Sequence, residues 1–271
     1  MTEFRQHLAP LSAKDWDLVQ GQARDTLAKQ LAGRRVVDVK GPMGMQYHGV
    51  GTGRLKTCQL PDHADVSAGI RQILPMLEVR KSFQLELEEF DALARGAQDI
   101  DLDPLVEAAK SLATLEDRIV FHGLEQAGIQ GMIQATPLTP QNLASDSGQF
   151  MQDLATGIGR LRTETVEGSP TDNFHLVLSP ELRRFISSQY IGSHSLRQEI
   201  LKLIGGQIYT SNALGQALLV NAGSGHYELT LAQDFTLGYE HHDADSVSLF
   251  LMEAFTFQVL NPEASLLLTT G

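Results

Sequence analysis

The stretch DPLVEAAKSLATLEDRIVFHG, residues 103–123, is the strongest helix signal in this sequence. It opens with Asp103 and Pro104, and proline is favoured in the first turn of a helix because its missing N–H has no partner there. Apolar side chains then recur at intervals of three and four residues, which predicts one buried stripe. The stripe consists of Leu105, Ala108, Leu112, Leu115 and Ile119. The segment therefore predicts a long helix that ends near Gly123.

A second helix is predicted towards the amino terminus. Ser12 and Asp15 have the spacing of a capping box, with Asp in place of the usual Glu. The apolar residues that follow share one face of a helix of about 18 residues. They are Trp16, Val19, Ala23, Leu27 and Leu31. We expect Gly33 to end this helix in a left-handed conformation.

The region between the two helices contains a long irregular stretch. Residues 34–39 (RRVVDV) predict a short strand, and Gly41-Pro42 predicts a turn. Residues 44–75 then carry scattered glycines over a length that exceeds an ordinary connection. We interpret this stretch as an extended hairpin or arm that projects from the body of the protein.

Strands and helices are segregated along the rest of the chain. Phe83, Leu85 and Leu87 alternate with polar residues, as in a half-buried strand. Helices are predicted at 148–163 and after Ser179, which a proline follows. Further strands are predicted at 174–178, 227–235, 247–260 and 264–268. Because the two kinds of element do not strictly alternate, the fold class is α+β.

Composition indicates a globular protein of the cytoplasm. Of 271 residues, 42% are hydrophobic and 20% charged, which supports a well-buried core. The formal net charge of −12 disfavours nucleic acids and anionic membranes as partners, because it repels phosphate groups. We expect neither a secretory signal nor a transmembrane helix, since no suitable apolar segment occurs. The single cysteine, Cys58, fits a reducing compartment, and both a bystander and a nucleophilic role stay open.

No motif predicts an active site. The run from His241-His242 to Asp245 contains metal-ligand types, but adjacent side chains point in different directions and polar loops are common between strands. The glycines at 49–53 lack the spacing of a phosphate-binding loop, and the acidic run at 86–91 is typical of a solvated face. We expect no catalytic residues, metal or cofactor and favour a structural or interaction protein. An enzyme whose residues meet only in three dimensions stays open.

Several segments, in order along the whole chain, resemble the encapsulins, cellular shell proteins related to the HK97-type phage capsid. HLAPLSAKDW (7–16) and LAGRRVVDVKGPMG (31–44) are similar to the start of that family. LPMLEVRKSFQLEL with FDALARG (74–96) and LEDRIVFHGLEQAGIQGM (115–132) resemble its middle. LAQDFTLGYE with LFLMEAFTFQVLNPEA (231–264) resembles its end. Taken together, these segments are specific for the family, although no single one would be.

The resemblance implies an HK97-like fold and a homo-oligomer. It implies a closed icosahedral shell of about 60 copies, T=1, in which an extended E-loop reaches onto a neighbouring subunit. The implied parts are 1–45 (N-terminal helix and start of the P-domain), 46–73 (E-loop), 74–134 (P-domain with the long helix), 135–222 (A-domain) and 223–271 (C-terminal strands of the P-domain).

The resemblance also implies a cargo enzyme, typically a dye-decolourising peroxidase or a ferritin-like protein, held through its C-terminal targeting peptide. The peptide groove would lie between the N-terminal helix and the P-domain, with apolar contacts for affinity and polar groups for register. The matching positions are Leu27, Arg34, Asp38, Phe235, Leu237 and Leu251. For Leu27, plain core packing is an equally open interpretation.

The resemblance also implies a pore loop and a position at which some members bind a flavin. The loop that would line the fivefold pore contains Tyr190, Gly192, Ser193 and His194, and a solvated loop histidine is favoured over a pH-sensitive gate. Some members stack a flavin on an aromatic side chain at the position of Glu88, where a carboxylate offers no π-face, so no flavin is expected there.

Two alternatives to the shell stay open. One is a phage or prophage major capsid protein that packages DNA, which shares the fold but fits the negative charge less well. The other is a hydrolase, for which the sequence supplies no motif.

Overall fold

The computed structural model describes residues 4–61, 65–164 and 173–270. Two sheets, each with its own helices, form the body, and a two-stranded hairpin extends beside the first sheet. The helices are α1 (Ala13–Gln30), α2 (Leu87–Arg95), α3 (Asp103–His122), α4 (Met132–Ala135), α5 (Ser147–Glu164), α6 (Pro180–Ser188) and α7 (Leu196–Ile204). The strands are β1 (Asp38–Lys40), β2 (Gly49–Cys58), β3 (Ala68–Pro75), β4 (Leu77–Glu86), β5 (Gln141–Leu143), β6 (Phe174–Leu178), β7 (Tyr190–Ile191), β8 (His194–Ser195), β9 (Gly205–Thr210), β10 (Ala217–Asn221), β11 (Tyr227–His242), β12 (Ser246–Val259) and β13 (Ser265–Thr270).

The first sheet has the order β1-β11-β12-β4, with α3 packed on it and α1 packed on α3. The predicted long helix is confirmed, but one member of its stripe is wrong. Leu115 is 37% exposed, whereas the neighbouring Glu116 and Asp117 are buried. These carboxylates occupy the packed side because partners from other elements satisfy their charge and hydrogen-bonding capacity.

The N-terminal helix and its capping box are confirmed. Ser12 and Asp15 hydrogen-bond reciprocally at the start of α1. The predicted helix end is wrong, because α1 stops at Gln30 and Gly33 lies in a 3₁₀ turn. Space is tight at Gly33: its N–H donates to Asp117 Oδ1 at 2.8 Å, and an added Cβ would lie 3.0 Å from that oxygen, so a larger residue would have to displace the carboxylate slightly.

The strand predicted at 34–39 is largely wrong, since β1 covers only its last two residues and Lys40. The 3₁₀ turn occupies Gly33–Arg35, so the chain becomes extended only at Asp38, where it pairs parallel to β11. The strand predicted through Leu87 ends at Glu86, because Leu87 begins α2.

The predicted arm is confirmed as an antiparallel hairpin of β2 and β3, paired from Gly49–Pro75 to Cys58–Ala68. Large apolar side chains on it face solvent in the single chain. Leu55 is 66% exposed, Ile70 59% and Ile73 58%. A hairpin of this kind has little core of its own and is marginal without further contacts.

The second sheet has the order β5-β13-β10-β6-β9 and carries α5, α6 and α7. Alternate residues of β10 enter different cores: Leu218 belongs to the core of the first sheet and Leu219 to that of the second. Of the strands within residues 223–271, β13 lies in the second sheet rather than in the first. β13 pairs with β10, and its Leu266 and Leu268 complete the second core.

Candidate functional site

A groove of about 420 Å³ lies between α1 and the irregular middle of β11. Five of the six predicted groove positions line it: Leu27, Arg34, Phe235, Leu237 and Leu251. Asp38 does not line it, and its carboxylate accepts a hydrogen bond from the N–H of Gly225. Ala23 and Leu31 extend the apolar wall, while Gln20 and Arg24 add polar groups.

The irregularity in β11 shapes one wall of the groove. The register with β12 shifts between Gln233 and Thr236, which turns the intervening residues out of regular pairing. Two hydrogen bonds stabilise this bulge: Gln233 Nε2 donates to Thr236 Oγ1 at 2.7 Å, and Phe235 N donates to Asp234 Oδ1 at 2.8 Å. At one end, Gln6 Nε2 donates to the carbonyl of Leu237 at 2.7 Å, so the N-terminal segment forms part of the wall.

The polar floor of the groove is one arginine surrounded by three carboxylates. Arg34 binds Glu116 in a forked arrangement, with Nε at 3.0 Å and Nη2 at 2.7 Å from the carboxylate oxygens. It also donates to Asp234 at 2.9 Å and to Glu253 at 2.5 Å. Its guanidinium lies 5.1 Å from the centroid of the Phe235 ring, which places a cation over an aromatic face. Arg34 thereby joins the turn after α1 to α3, β11 and β12.

The protonation of this cluster follows from its burial. Desolvation, together with the neighbouring Glu116 carboxylate, holds the pKa of Glu253 well above its usual range. The shift favours the neutral form of Glu253, and one of its oxygens, Oε2, has no partner among the described residues. Burial by itself would lower the pKa of Arg34, but the hydrogen bonds and negative charge of Glu116 and its neighbours raise it. The floor thus holds a permanent cation compensated mainly by Glu116.

Asp117 links the same region to the second sheet. Its carboxylate accepts hydrogen bonds from Ala32 N, Gly33 N and Ser211 Oγ, the last at 2.6 Å. Burial raises its pKa to about 6, although these hydrogen bonds oppose the shift. Asp117 therefore fixes the turn that carries Arg34 against α3 and the loop between β9 and β10.

Sequence reasoning missed that three acidic residues are buried, namely Glu116, Asp117 and Glu253, although the sequence contained a signal for it. Glu116 lies four residues after Leu112 and three before Ile119, both members of the predicted stripe. Glu253 interrupts an otherwise apolar strand. Because a buried charge requires a partner, an acid inside an apolar pattern indicates a buried ion pair.

The predicted pore loop lies beside α5 and α7, the helices of the second sheet, and none of its residues lines the groove. Tyr190 and His194 belong to the short β7–β8 hairpin, whose turn contains Gly192 at φ +58° and Ser193. Tyr190 is 65% exposed. His194 Nδ1 lies 4.0 Å from Glu199 Oε1, at the start of α7.

The remaining candidates stay apart from the groove. His242 Nδ1 and Tyr239 OH form a hydrogen bond of 2.6 Å. Asp243 Oδ1 accepts a hydrogen bond from Ser246 N in the turn that leads into β12. Within the described ranges, no three potential ligands form a metal cluster. Glu88 pairs with Arg95 on the surface of α2, at 2.6 Å. No helix in the part of the chain that the structure describes is long and apolar enough to cross a bilayer.

Comparison with known proteins first shows the class of fold. A virus-like particle protein from Pyrococcus furiosus superposes with a TM-score of 0.65 at 15% identity, covering 94% of this chain and 99% of the other. The capsid protein of Myoviridae phage XM1 superposes with a TM-score of 0.53 at 12% identity, covering 86% and 88%. The predicted α+β, HK97-like capsid fold is confirmed.

Sequence comparison then narrows the class to a family. A family described as "Encapsulating protein for peroxidase" matches residues 1–256. A Rhodospirillum rubrum protein named "Type 1 encapsulin shell protein" is 36% identical over 271 residues, covering 98% of this chain and 95% of the relative. This chain belongs to the encapsulin family of shell proteins. Its function is that of a structural shell subunit rather than an enzyme, which confirms the interpretation drawn from the sequence.

Proposed function

We propose that this chain forms a closed T=1 icosahedral shell of about 60 copies in the cytoplasm. We further propose that the shell encloses a dye-decolourising peroxidase or a ferritin-like enzyme, held by its C-terminal targeting peptide. The observation that carries the cargo proposal is the groove beside α1, which is open to solvent and has aliphatic side chains on both walls among polar groups. The family description, which names a peroxidase, supports this kind of cargo.

The chemistry of the groove fits an extended, mainly apolar peptide. Leu27 on one wall and Leu237 and Leu251 on the other offer aliphatic contacts, which supply affinity through burial. Asp234 is 46% exposed at its side chain, and only its Oδ1 is bound to Arg34 and Phe235 N. Its Oδ2 is left as an acceptor for a peptide N–H, which would set the register.

Leu27→Asp tests the groove directly. The variant should bind a synthetic peptide from the cargo C-terminus at least about tenfold more weakly, because a carboxylate would face apolar side chains. Leu27 is 7% exposed and belongs to the first core, so binding is measured only on variant subunits that circular dichroism shows to be folded and electron microscopy shows to be assembled. Isothermal titration of assembled shells measures the affinity. Leu18→Asp is a matched control, since Leu18 is 37% exposed on α1 and does not line the groove. Unchanged binding by the Leu27 variant would refute the groove assignment.

Particles isolated from the native host test the nature of the contents. Electron microscopy should show uniform closed shells, and mass spectrometry should find the enzyme as the main companion. DNA as the main content would instead support a capsid that packages nucleic acid. Hydrolase activity in cargo-free shells would support the enzyme alternative.

The pore assignment is a separate proposal. We propose that Tyr190, Gly192, Ser193 and His194 line an opening where the tips of the second unit meet at a symmetry axis. Their exposed hairpin position supports this, because it leaves them available to other copies. A cryo-electron microscopy map of the shell decides it.

A further inference from the structure

Three cationic side chains surround a second recess of about 250 Å³ at the junction of α1, α6 and β9. Lys29 comes from the last turn of α1, Arg35 from the 3₁₀ turn and Arg183 from α6. Tyr209 and Thr210 of β9 add an aromatic ring and two hydroxyl groups. The recess shares no lining residue with the groove, so it is a separate feature of the surface.

No carboxylate of the described residues pairs with these cations. Within residues 4–61, 65–164 and 173–270, no ion pair involves Lys29, Arg35 or Arg183. Arg35 donates to the carbonyl of Ala28 at 2.7 Å and lies 5.7 Å from the centroid of the Tyr209 ring. The half-buried Arg183 has no side-chain hydrogen bond to any described residue. Three uncompensated cations around one recess are unexpected in a chain of net charge −12.

Helix electrostatics explains only part of this arrangement. Lys29 lies near the C-terminal end of α1, where the helix dipole favours a cation. Arg183 has the opposite placement, in the first turn of α6, where the dipole disfavours a positive charge. A negative partner would therefore stabilise Arg183 in its position beside two other cations.

We propose that this recess binds an oxyanion of the phosphate class. Two guanidinium groups can each bind phosphate oxygens in a forked manner, and Lys29 adds a point charge. The hydroxyl groups of Tyr209 and Thr210 can donate further hydrogen bonds. The bound anion ties the end of α1, whose other side lines the groove, to the second sheet. Inorganic phosphate and a small phosphoester share this chemistry.

Equilibrium binding to the assembled full-length protein tests the proposal at constant ionic strength. Inorganic phosphate and glycerol 2-phosphate are the two probes, and at least one should bind saturably with about one site per subunit. A clear preference for glycerol 2-phosphate assigns a phosphoester, whereas equal or stronger binding of inorganic phosphate assigns the free ion. Arg183→Gln and Arg35→Gln should each weaken binding about tenfold or more, since each removes a charged hydrogen-bond donor.

Arg184→Gln is the matched control. Arg184 is the exposed neighbour of Arg183 on α6 and does not line the recess, so its removal changes the net charge equally. It should leave phosphate affinity unchanged. Phosphate should also raise the thermal unfolding midpoint of this variant, relative to chloride, but not that of Arg183→Gln. If Arg183→Gln fails to fold, Lys29→Gln provides the same comparison from an exposed helix end.

Two outcomes would overturn the proposal. One is equal loss of binding in the Arg184 and Arg183 variants, which indicates only a general response to charge. The other is no saturable binding of either probe. If, in that case, Arg183→Gln also prevents particle formation, the recess instead meets a carboxylate of another copy.

Discussion

Arg34 determines whether the buried acids beneath the groove can be tolerated. Its four nitrogen-to-oxygen contacts with Glu116 and Glu253 fall between 2.5 and 3.0 Å, and both acids are fully buried. Burial raises the pKa of Glu253 and so favours its neutral form, which lowers the negative charge that Arg34 has to compensate. Substituting Arg34 should therefore lower the free energy of unfolding more than substituting Glu253.

Arg34→Met should destabilise the subunit by about 3–5 kcal/mol, because it leaves the fully buried Glu116 without its ion-pair partner. Glu253→Gln should change stability by no more than about 1 kcal/mol, since an amide resembles the protonated carboxyl group. Thermal and urea unfolding of both variants at neutral pH measure the difference. Equal destabilisation by the two substitutions would contradict the proposed protonation of Glu253.

Asp117 should make stability depend on pH. Its pKa is about 6 in the folded chain and near its ordinary value of 3.8 when unfolded, so the folded state binds more protons between these values. Stability should therefore fall as pH rises from about 4 to 6, by roughly 3 kcal/mol in total. Asp117→Asn should remove that slope while lowering stability at acidic pH through lost hydrogen bonds. Unfolding midpoints measured from pH 4 to 7 test this, and an unaltered slope in the variant would contradict the assignment.

At the scale of elements, the stability of α6, which packs on the second sheet, depends on the cap at its first turn. Ser179 is buried, and its Oγ accepts a hydrogen bond from Leu182 N at 3.2 Å, as the Ser-Pro pair predicts. The cap fixes the first turn of α6 directly after β6, and that turn carries Arg183.

Ser179→Ala should cost about 1–2 kcal/mol, because the first turn of α6 loses its cap in a buried place. Ser187→Ala is the control: Ser187 lies on the same helix, is exposed, and donates only to the carbonyl of Arg183. It should change stability by less than about 0.5 kcal/mol. Denaturant unfolding compares the two, and similar losses would argue against a specific capping effect.

At the scale of the whole molecule, the hairpin of β2 and β3 is the part that a single chain leaves incomplete. Leu55, Ile70 and Ile73 expose apolar surface that an isolated subunit does not cover. In a family of shell proteins, the second copy is the natural partner for this surface.

Combining Leu55→Asp with Ile70→Asp should therefore prevent closed shells while leaving the subunit folded. The charges would oppose burial against a neighbour, whereas neither residue belongs to the two cores. Light scattering and electron microscopy measure assembly, and circular dichroism measures folding. Gln72→Asp, an exposed polar position on β3, is the control and should still assemble. Normal shells from the double variant would show that the hairpin is dispensable.

Local patterns in the sequence were sufficient for most helices and strands. The capping box of α1, the Ser-Pro start of α6 and the apolar strand at 174–178 depend on neighbouring residues, and all three are confirmed. The hairpin followed from its excessive length between two recognisable elements. Resemblance along the chain supplied the family, and five of the six positions it implied for the groove line it.

Tertiary structure alone decided which charges are buried and which strands are neighbours. Leu115 is exposed and Glu116 is buried, although an apolar side chain usually takes the buried position. The reason is that Arg34, which is distant in sequence, binds the carboxylate of Glu116. β13 joins the second sheet because its pairing with β10 is non-local, and no periodicity records a partner strand. The sequence by itself therefore determined the elements and the family, through short-range pattern and similarity. Only the folded chain decided the buried Arg34 cluster and the cationic recess, because electrostatic partners meet through contacts between distant segments.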